Sequence, residues 1–558
     1  MSEINGHVSK LAADLEAKKI NRREFVRYAA LMGMAAPAAY ALAGKITGEP
    51  FAPSAAAATA PAALPKGGTW RIGTRIKDIK NPHAYSWGGY DSNVSRQVVE
   101  YLTFTDADGV TKPYLAESWE VSPDLKTWTF KLVKGVKWTK GDELTVDHVI
   151  WNLKHALDPA VGSSFIGLVH GYLLNDKTGA DGKPTTELWS VNAIEKVDDH
   201  TFRFNCKNPQ VAVPEHLFHY PMAILHPDDK GVFGVGAQGT GPFDLTEFEL
   251  GKRAVLKRRT GYWGGDAAID GMEQIDVGDD VTAPIAALAS KQLDGLAIAY
   301  PSQYDALKAI DHLNFFQVKT AETGTIRMHV ASKPFDDPKV RQAMRKAIDP
   351  QPVLEVALRG IGTIGEHTHC SVALPDFAAI DPPKRDVEGA KKLLAEAGHP
   401  DGIEVELVVP NDIDWFQPMA ETCQQMWAEA GIKVNLKPIP GASYWDIWTK
   451  VPFSITIWYH RPLCTMLLGL GYRSGAAWNE SGWSNKEFDD LLTQADGILD
   501  LDKRKAIVAK LEQIMLEDGP LVQPVFRNVF TFMDKRVVGF YAHPSNYFFG
   551  WKIGLEQA

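Results

Sequence analysis

The chain has 558 residues, too many for one ordinary core, so two or three domains are expected. Hydrophobic residues make up 45% and charged residues 23%, the balance of a soluble globular protein. A formal charge of -10 and a pI near 5.9 argue against nucleic acid or an anionic membrane surface as partner, since both favour a basic patch, while leaving room for a local cationic pocket.

The N-terminus reads as an address. Asn21-Arg22-Arg23-Glu24-Phe25-Val26-Arg27 resembles the twin-arginine export motif, and a modestly apolar run, Tyr28 to Ala43, follows it. Ala41-Leu42-Ala43 is an A-x-A site that places cleavage after Ala43; the alternative is an amphipathic helix that happens to hold two arginines. The run is too short and Ala-rich for a transmembrane span, and Lys45 stands where a lipoprotein needs a cysteine. Residues 44–66 are Ala/Pro-rich and expected to form a disordered leader. Val98 to Thr103 reads as a strand. From Ala116 to Trp138, Trp128, Phe130, Leu132, Val136 and Trp138 alternate with Thr127, Thr129 and Lys131, flanked by Ser122-Pro123-Asp124 and Lys134-Gly135 turns: an antiparallel hairpin with one buried face. Arg253 to Lys257 is another strand. Pro338 to Ile348 carries Val340, Ala343, Met344 and Ala347 at helical spacing, with Asp336 or Asp337 as cap. Asp386 to Ala397 is a helix ended by Gly398. Gly402–Val409, Met419–Ala430 and Ile432–Leu436 read as strand, helix, strand, a βαβ unit with parallel strands, and Asp502–Glu517 is a further helix.

The hairpin resembles the signature of the periplasmic solute-binding proteins of the peptide/nickel (family 5) ABC importers. Further segments match that family in its order: Thr145–Asp158, Gly239-Thr240-Gly241-Pro242-Phe243, Tyr262-Trp263, Pro334–Asp349, Ala390–Gly398, Asn485–Leu492 and Gln513–Pro524. The resemblance runs from about Trp70 to Trp551. It implies an α/β, two-lobe periplasmic binding protein of type II-like (class C) architecture, with an inserted domain and a central ligand cleft. Carried over, the plan gives a signal peptide over 1–43, a leader over 44–66, lobe I over 67–112, 236–325 and 528–558, an inserted domain over 113–235, and lobe II over 326–527. The implied partners are a small-molecule solute, an ABC permease and ATPase complex in the inner membrane, and the twin-arginine translocase during export. The implied location is the periplasm, with no cofactor, no metal, no nucleic acid and no catalysis.

Motifs pointing elsewhere are weak. Gly234-Val235-Gly236-Ala237-Gln238-Gly239 fits G-x-G-x-x-G, but Thr240-Gly241-Pro242 follows at once and breaks the helix that a dinucleotide site requires. His367-Thr368-His369-Cys370 offers metal ligands on a loop, without a carboxylate placed beside it. His216 and His219 lack an H-E-x-x-H context, no G-x-S-x-G elbow exists, and Asp336-Asp337 and Asp489-Asp490 suit capping or solvation. Cys206, Cys370, Cys423 and Cys464 form no C-x-x-C; buried thiols are favoured, with a disulfide formed after export as the alternative. The rival function is an enzyme or a metal-chelate binder exported folded by the twin-arginine route.

One departure from the family bears on the ligand. Peptide-binding relatives carry an aspartate in a W-x-A-D-Y-P-type run, where it pairs with the peptide ammonium. Here Trp458, Tyr459, His460 and Arg461 stand in its place. Arg461, with a planar donor fork, suits an anionic or hydroxylated solute if it faces the cleft; the alternative is that it points away and pairs with a protein carboxylate. Aromatic candidates for the cleft are Tyr85, Trp87, Trp415, Tyr444, Trp445 and Trp478 with Asn479, and Arg327 and His329 stand where the resemblance places an interlobe contact.

Overall fold

One twelve-stranded mixed sheet runs through the protein, as a computed structural model describes it over residues 4–34, 36–48, 63–84, 90–179, 182, 184–278, 280–381 and 384–557. Its order is Phe243–Glu249, Arg253–Arg258, Gly271–Asp276, Thr69–Thr74, Gly295–Leu296, Val525–Asp534, Leu313–Met328, Phe453–Trp458, Ile403–Pro410 and Ile432–Ile439, with two short strands attached beside the middle. The two central strands divide it into lobes. Leu313–Met328 pairs with Val525–Asp534 in its first part and with Phe453–Trp458 in its last, with an irregularity between Val318 and Glu322. Each lobe keeps its own core: Trp70, Ile72, Leu256 and Met272 in one, Met328, Leu407, Phe416, Trp427 and Phe453 in the other. The fold is the expected two-lobe α/β fold.

The crossing is pinned by a buried ion pair. Arg527 Nη1 donates to Glu322 Oε1 at 2.9 Å, Asn546 Nδ2 to Glu322 Oε2 at 2.9 Å, and Thr320 Oγ1 to the Arg527 carbonyl at 2.6 Å. Both charged side chains are at most 1% exposed.

Local structure follows the sequence in most places. The hairpin is Ala116–Val121 with Thr127–Leu132, and its sheet of four strands, completed by Thr201–Asn205 and Ile194–Asp198, stands apart from the large sheet. Trp128, Phe130 and Leu132 fill one face because alternate strand residues point the same way. Ile403–Pro410 and Ile432–Ile439 pair in parallel around the helix Phe416–Glu429. Asp337, Asp386 and Asp500 cap the helices that follow them.

One expectation needs correction. Val98 to Thr103 is no strand: a short 3-10 turn, Ser95–Gln97, leads into it, Glu100 makes one isolated bridge to Ile224, and ladder pairing begins at Thr103–Thr105. The Val98 carbonyl instead accepts from Gly241 N at 2.8 Å. A Cβ on Gly239 or Gly241 would lie 2.1 or 2.6 Å from that oxygen, so the Gly-Thr-Gly-Pro turn needs both glycines. The N-terminal stretch forms helices Ile4–Glu16, Arg22–Leu31 and Ala36–Thr47, the last including four residues of the expected leader, whose residues 49–62 lie outside the described ones. Among the described residues no helix is long and apolar enough to cross a membrane.

Candidate functional site

Two cavities lie where residues of both lobes meet. The first, of about 30 Å³, is lined by Asp106, Glu215, His219 and His543 from one side and by His460, Arg461 and Pro462 from the other. The second, of about 80 Å³, is lined by Arg75, Asp280 and Tyr300 against Asn411, Asp412 and Asp414. Both are far below the several hundred Å³ of an open small-molecule site. Ser302 Oγ donates across the seam to Asp414 Oδ2 at 2.6 Å.

The strand Phe453–Trp458 delivers His460 and Arg461 to the first cavity. His460 is buried and its Nδ1 accepts from Ala321 N at 3.1 Å, at the crossing irregularity. Burial, with His543 and the Arg27 and Arg461 guanidinium groups nearby, holds its imidazole well below the ordinary value, so it is neutral. Arg461 is 5% exposed and turns inward. It donates to the carbonyls of Tyr459 and His460, lies 5.6 Å over the Tyr220 ring, and has a buried Nε with no hydrogen-bond partner. Of the two carboxylates lining this cavity, Asp106 is partly exposed and Glu215, on the short helix Val213–His216, is buried at 1% exposure. Burial pushes its carboxyl up, and Arg27 pulls it back.

The other sequence candidates fall into three groups. Tyr85 and Trp87 lie outside the described residues. Arg327, Tyr444 and Trp458 join a buried network centred on Glu480. Arg327 Nε donates to Glu480 Oε2 at 2.9 Å, Trp458 Nε1 to Glu480 Oε1 at 2.8 Å, and Thr456 Oγ1, bonded to the Tyr444 hydroxyl, to Glu480 Oε2 at 2.6 Å. The remaining Arg327 nitrogens go to the Val451 and Trp448 carbonyls. Asn479 closes a turn, its Nδ2 donating to Trp483 O at 2.6 Å. Trp415 is buried against Phe416, and Trp445 Nε1 donates to Asp412 Oδ2 at 3.0 Å on the wall of the second cavity. Trp478 packs on Tyr220 at 6.3 Å, edge-on to Trp458 at 5.8 Å. His329 and Tyr459 are partly exposed.

Sequence reasoning missed Glu215, His543 and the Asp412–Asp414 edge. Glu215 did leave a signal, a lone carboxylate inside Val211-Ala212-Val213-Pro214-Glu215-His216-Leu217-Phe218. The convergence of His543, more than 300 residues away, left none.

No metal chemistry follows from the histidines. Asp142, His148 and His226 place ligand atoms within 4.8 Å of one another. But His148 Nδ1 accepts from Thr145 N at 3.1 Å and His226 Nδ1 from Asp228 N at 3.1 Å. Each ring therefore carries its proton on Nε2, and His226 Nε2 donates to Asp142 at 3.0 Å, which suits a hydrogen-bonded carboxylate and not two metal-ligating lone pairs. His367 accepts from Gln523 N and His369 bonds the Tyr472 hydroxyl, so the two rings serve different neighbours. The Gly234–Gly239 run sits in a loop before the strand Phe243–Glu249, with no helix to receive a phosphate. All four cysteines are buried free thiols.

Comparison with known proteins agrees with this geometry. Residues 110–463 match the family described as bacterial extracellular solute-binding proteins, family 5. The chain is 26% identical over 501 residues to the heme-binding protein A of Haemophilus influenzae, covering 83% of this chain and 88% of that one. It is 25% identical over 499 residues to the dipeptide-binding protein of Escherichia coli, covering 83% and 90%. Among solved structures, a periplasmic binding protein of A. tumefaciens R10 in complex with agropinic acid superposes with a TM-score of 0.77 at 23% identity, covering 88% of this chain and 99% of that one. A Helicobacter pylori ABC transporter-associated periplasmic binding protein holding the peptide STSA gives 0.76 at 20% identity, covering 88% and 99%.

Proposed function

The chain belongs to the bacterial extracellular solute-binding proteins of family 5, and from that membership we propose how it works as the substrate-binding component of an ABC importer. It captures a small organic solute between its lobes, closes over it by movement about the crossing strands, and presents the closed form to a membrane permease in the periplasm. The observation that carries this reading is a cavity walled by both lobes directly beside the crossing, where a ligand touching both walls would favour the closed form.

The solute carries an anionic or hydroxylated group. What supports this is the inward turn of Arg461 with its unpartnered Nε, in the run where peptide-binding relatives hold an aspartate. Dipeptide, heme and agropinic acid are the ligands named for similar proteins and mark the breadth of solutes the fold admits. Export by the twin-arginine translocase, in the folded state, is supported by the Asn21–Arg27 run.

Native mass spectrometry of the protein purified from its own periplasm tests the reading. A discrete excess mass, lost on denaturation, is expected, and fragmentation identifies it. A bound metal or redox cofactor in its place would overturn the reading in favour of an enzyme or metal-uptake protein.

A further inference from the structure

The segment that precedes the lobes reaches into the cleft. Helix Arg22–Leu31 opens on a capping box of Asn21 and Glu24 and buries Phe25, Val26, Tyr28, Ala29, Ala30 and Leu31. It is held from several sides. Trp119 Nε1 donates to the Leu31 carbonyl at 2.8 Å, Arg23 Nε to the Asp108 carbonyl at 2.7 Å, and Arg504 Nη1 to the Tyr28 hydroxyl at 3.2 Å.

Its buried charged group is Arg27. Arg27 is 5% exposed, and its guanidinium pairs with Glu215 Oε1 at 3.1 Å and donates to the Pro462 carbonyl. Glu215 and Pro462 both line the first cavity, as does Arg461, the neighbour of Pro462 in sequence. Glu215 Oε2 and Arg461 Nε are buried there without hydrogen-bond partners. A buried carboxylate either takes a proton or is compensated by a cation, and the cation beside Glu215 comes from a segment outside both lobes.

We propose that Glu215 is the cation anchor of the solute site and that Arg27 occupies it as an internal stand-in for a guanidinium or ammonium group of the solute. The inference rests on the solute-site reading above and narrows it. The ligand is dipolar, its cationic end on Glu215 and its anionic or hydroxylated end toward Arg461. Leader and solute then exclude each other from the cleft, and the chain takes up solute only after the leader has left.

The test uses the full chain, with a specific protease site placed within residues 49–62, so that the folded protein is nicked and both pieces are retained. Agmatine is the cationic probe and citrate the anionic one, at matched ionic strength. Agmatine is expected to speed release of the leader piece about tenfold over sodium chloride. In the uncut chain Arg27→Ala is expected to create agmatine binding, by calorimetry, that the unsubstituted chain lacks. Adding Glu215→Gln to Arg27→Ala should weaken that binding at least about tenfold, with folding of each variant checked by circular dichroism. An Arg27→Ala chain that folds and takes up no agmatine, or takes it up equally with Glu215→Gln, overturns the inference. Nicked protein freed of leader that binds a periplasmic solute equally with and without Glu215→Gln also sinks it, yet keeps the solute-site reading. If that protein binds neither probe nor any periplasmic solute, the reading itself falls.

Discussion

Replacing Arg527 by methionine at the crossing should destabilise the protein by an amount that depends on pH. The guanidinium sits 2.9 Å from Glu322, and neither side chain meets water. Burial pushes the Glu322 carboxyl up, and Arg527 is the main group that pulls it back. Without Arg527 the carboxylate is stranded, a loss of about 3–5 kcal/mol for a broken buried pair. The carboxyl escapes by taking a proton, which caps the loss. From an ordinary value of 4.5, that escape costs about 3 kcal/mol at pH 7 and under about 1 kcal/mol at pH 5. The sign follows: the substituted folded state holds a proton that the unfolded state has released, so the deficit grows as pH rises above 4.5. Urea unfolding followed by tryptophan fluorescence at the two pH values measures it. An equal deficit at both, or one below about 1 kcal/mol at pH 7, would refute an ionised pair at the crossing. Glu322→Gln in the same background should remove the pH dependence.

A second pH effect belongs to Glu512 and Glu366. Burial raises Glu512 to about 8, with repulsion from Glu366, and burial raises Glu366 to about 7. Both folded values exceed the ordinary 4.5, so these groups favour folding at low pH and that contribution is lost as pH rises toward 8. His367 and His369, held neutral by burial down to about 3, act oppositely but only below 6.5. Thermal melts between pH 6.5 and 8 should therefore show falling stability, flattened by Glu512→Gln. Arg461→Ala should weaken retention of the native solute by about tenfold or more, read by native mass spectrometry; unchanged retention would mean that the guanidinium never meets the solute. Arg22→Lys with Arg23→Lys should leave the uncut chain in the cytoplasm on fractionation, and normal export would remove the twin-arginine assignment.

Local chemistry was readable where neighbours in sequence decide it. The Trp128–Leu132 alternation, the aspartate caps at Asp337, Asp386 and Asp500, and the parallel pair around Phe416–Glu429 depend on a few adjacent residues. The ordered series of segments then reached the family and its two-lobe fold. Long-range pairing was not readable. Arg327 looks like a cleft residue until Glu480, 153 positions away, takes its guanidinium. Asn479 looks like a polar contact until its amide closes a turn onto Trp483. Val98 to Thr103 has strand composition, yet Gly241 claims the Val98 carbonyl and the chain bends. Arg27 reads as part of an address, and only the folded chain brings it to Glu215.

Continuous pairing of Leu313–Met328 on both sides of the Val318–Glu322 irregularity makes the crossing a short fulcrum for the sheet. Ladders cannot shear without losing their hydrogen bonds, so the lobe movement proposed above would be a swivel at Lys319, Thr320 and Ala321, working against the bonds that hold Thr320 and Ala321. Phe243–Glu249, at one rim, is the fifth strand from Val525–Asp534, on the order of 24 Å away at about 4.8 Å per strand. A swivel of about 10° at three residues would carry that rim by about 4 Å. In the proposed importer, a membrane partner would then sense an occupied cleft from the spacing of two distant edges, without touching the solute.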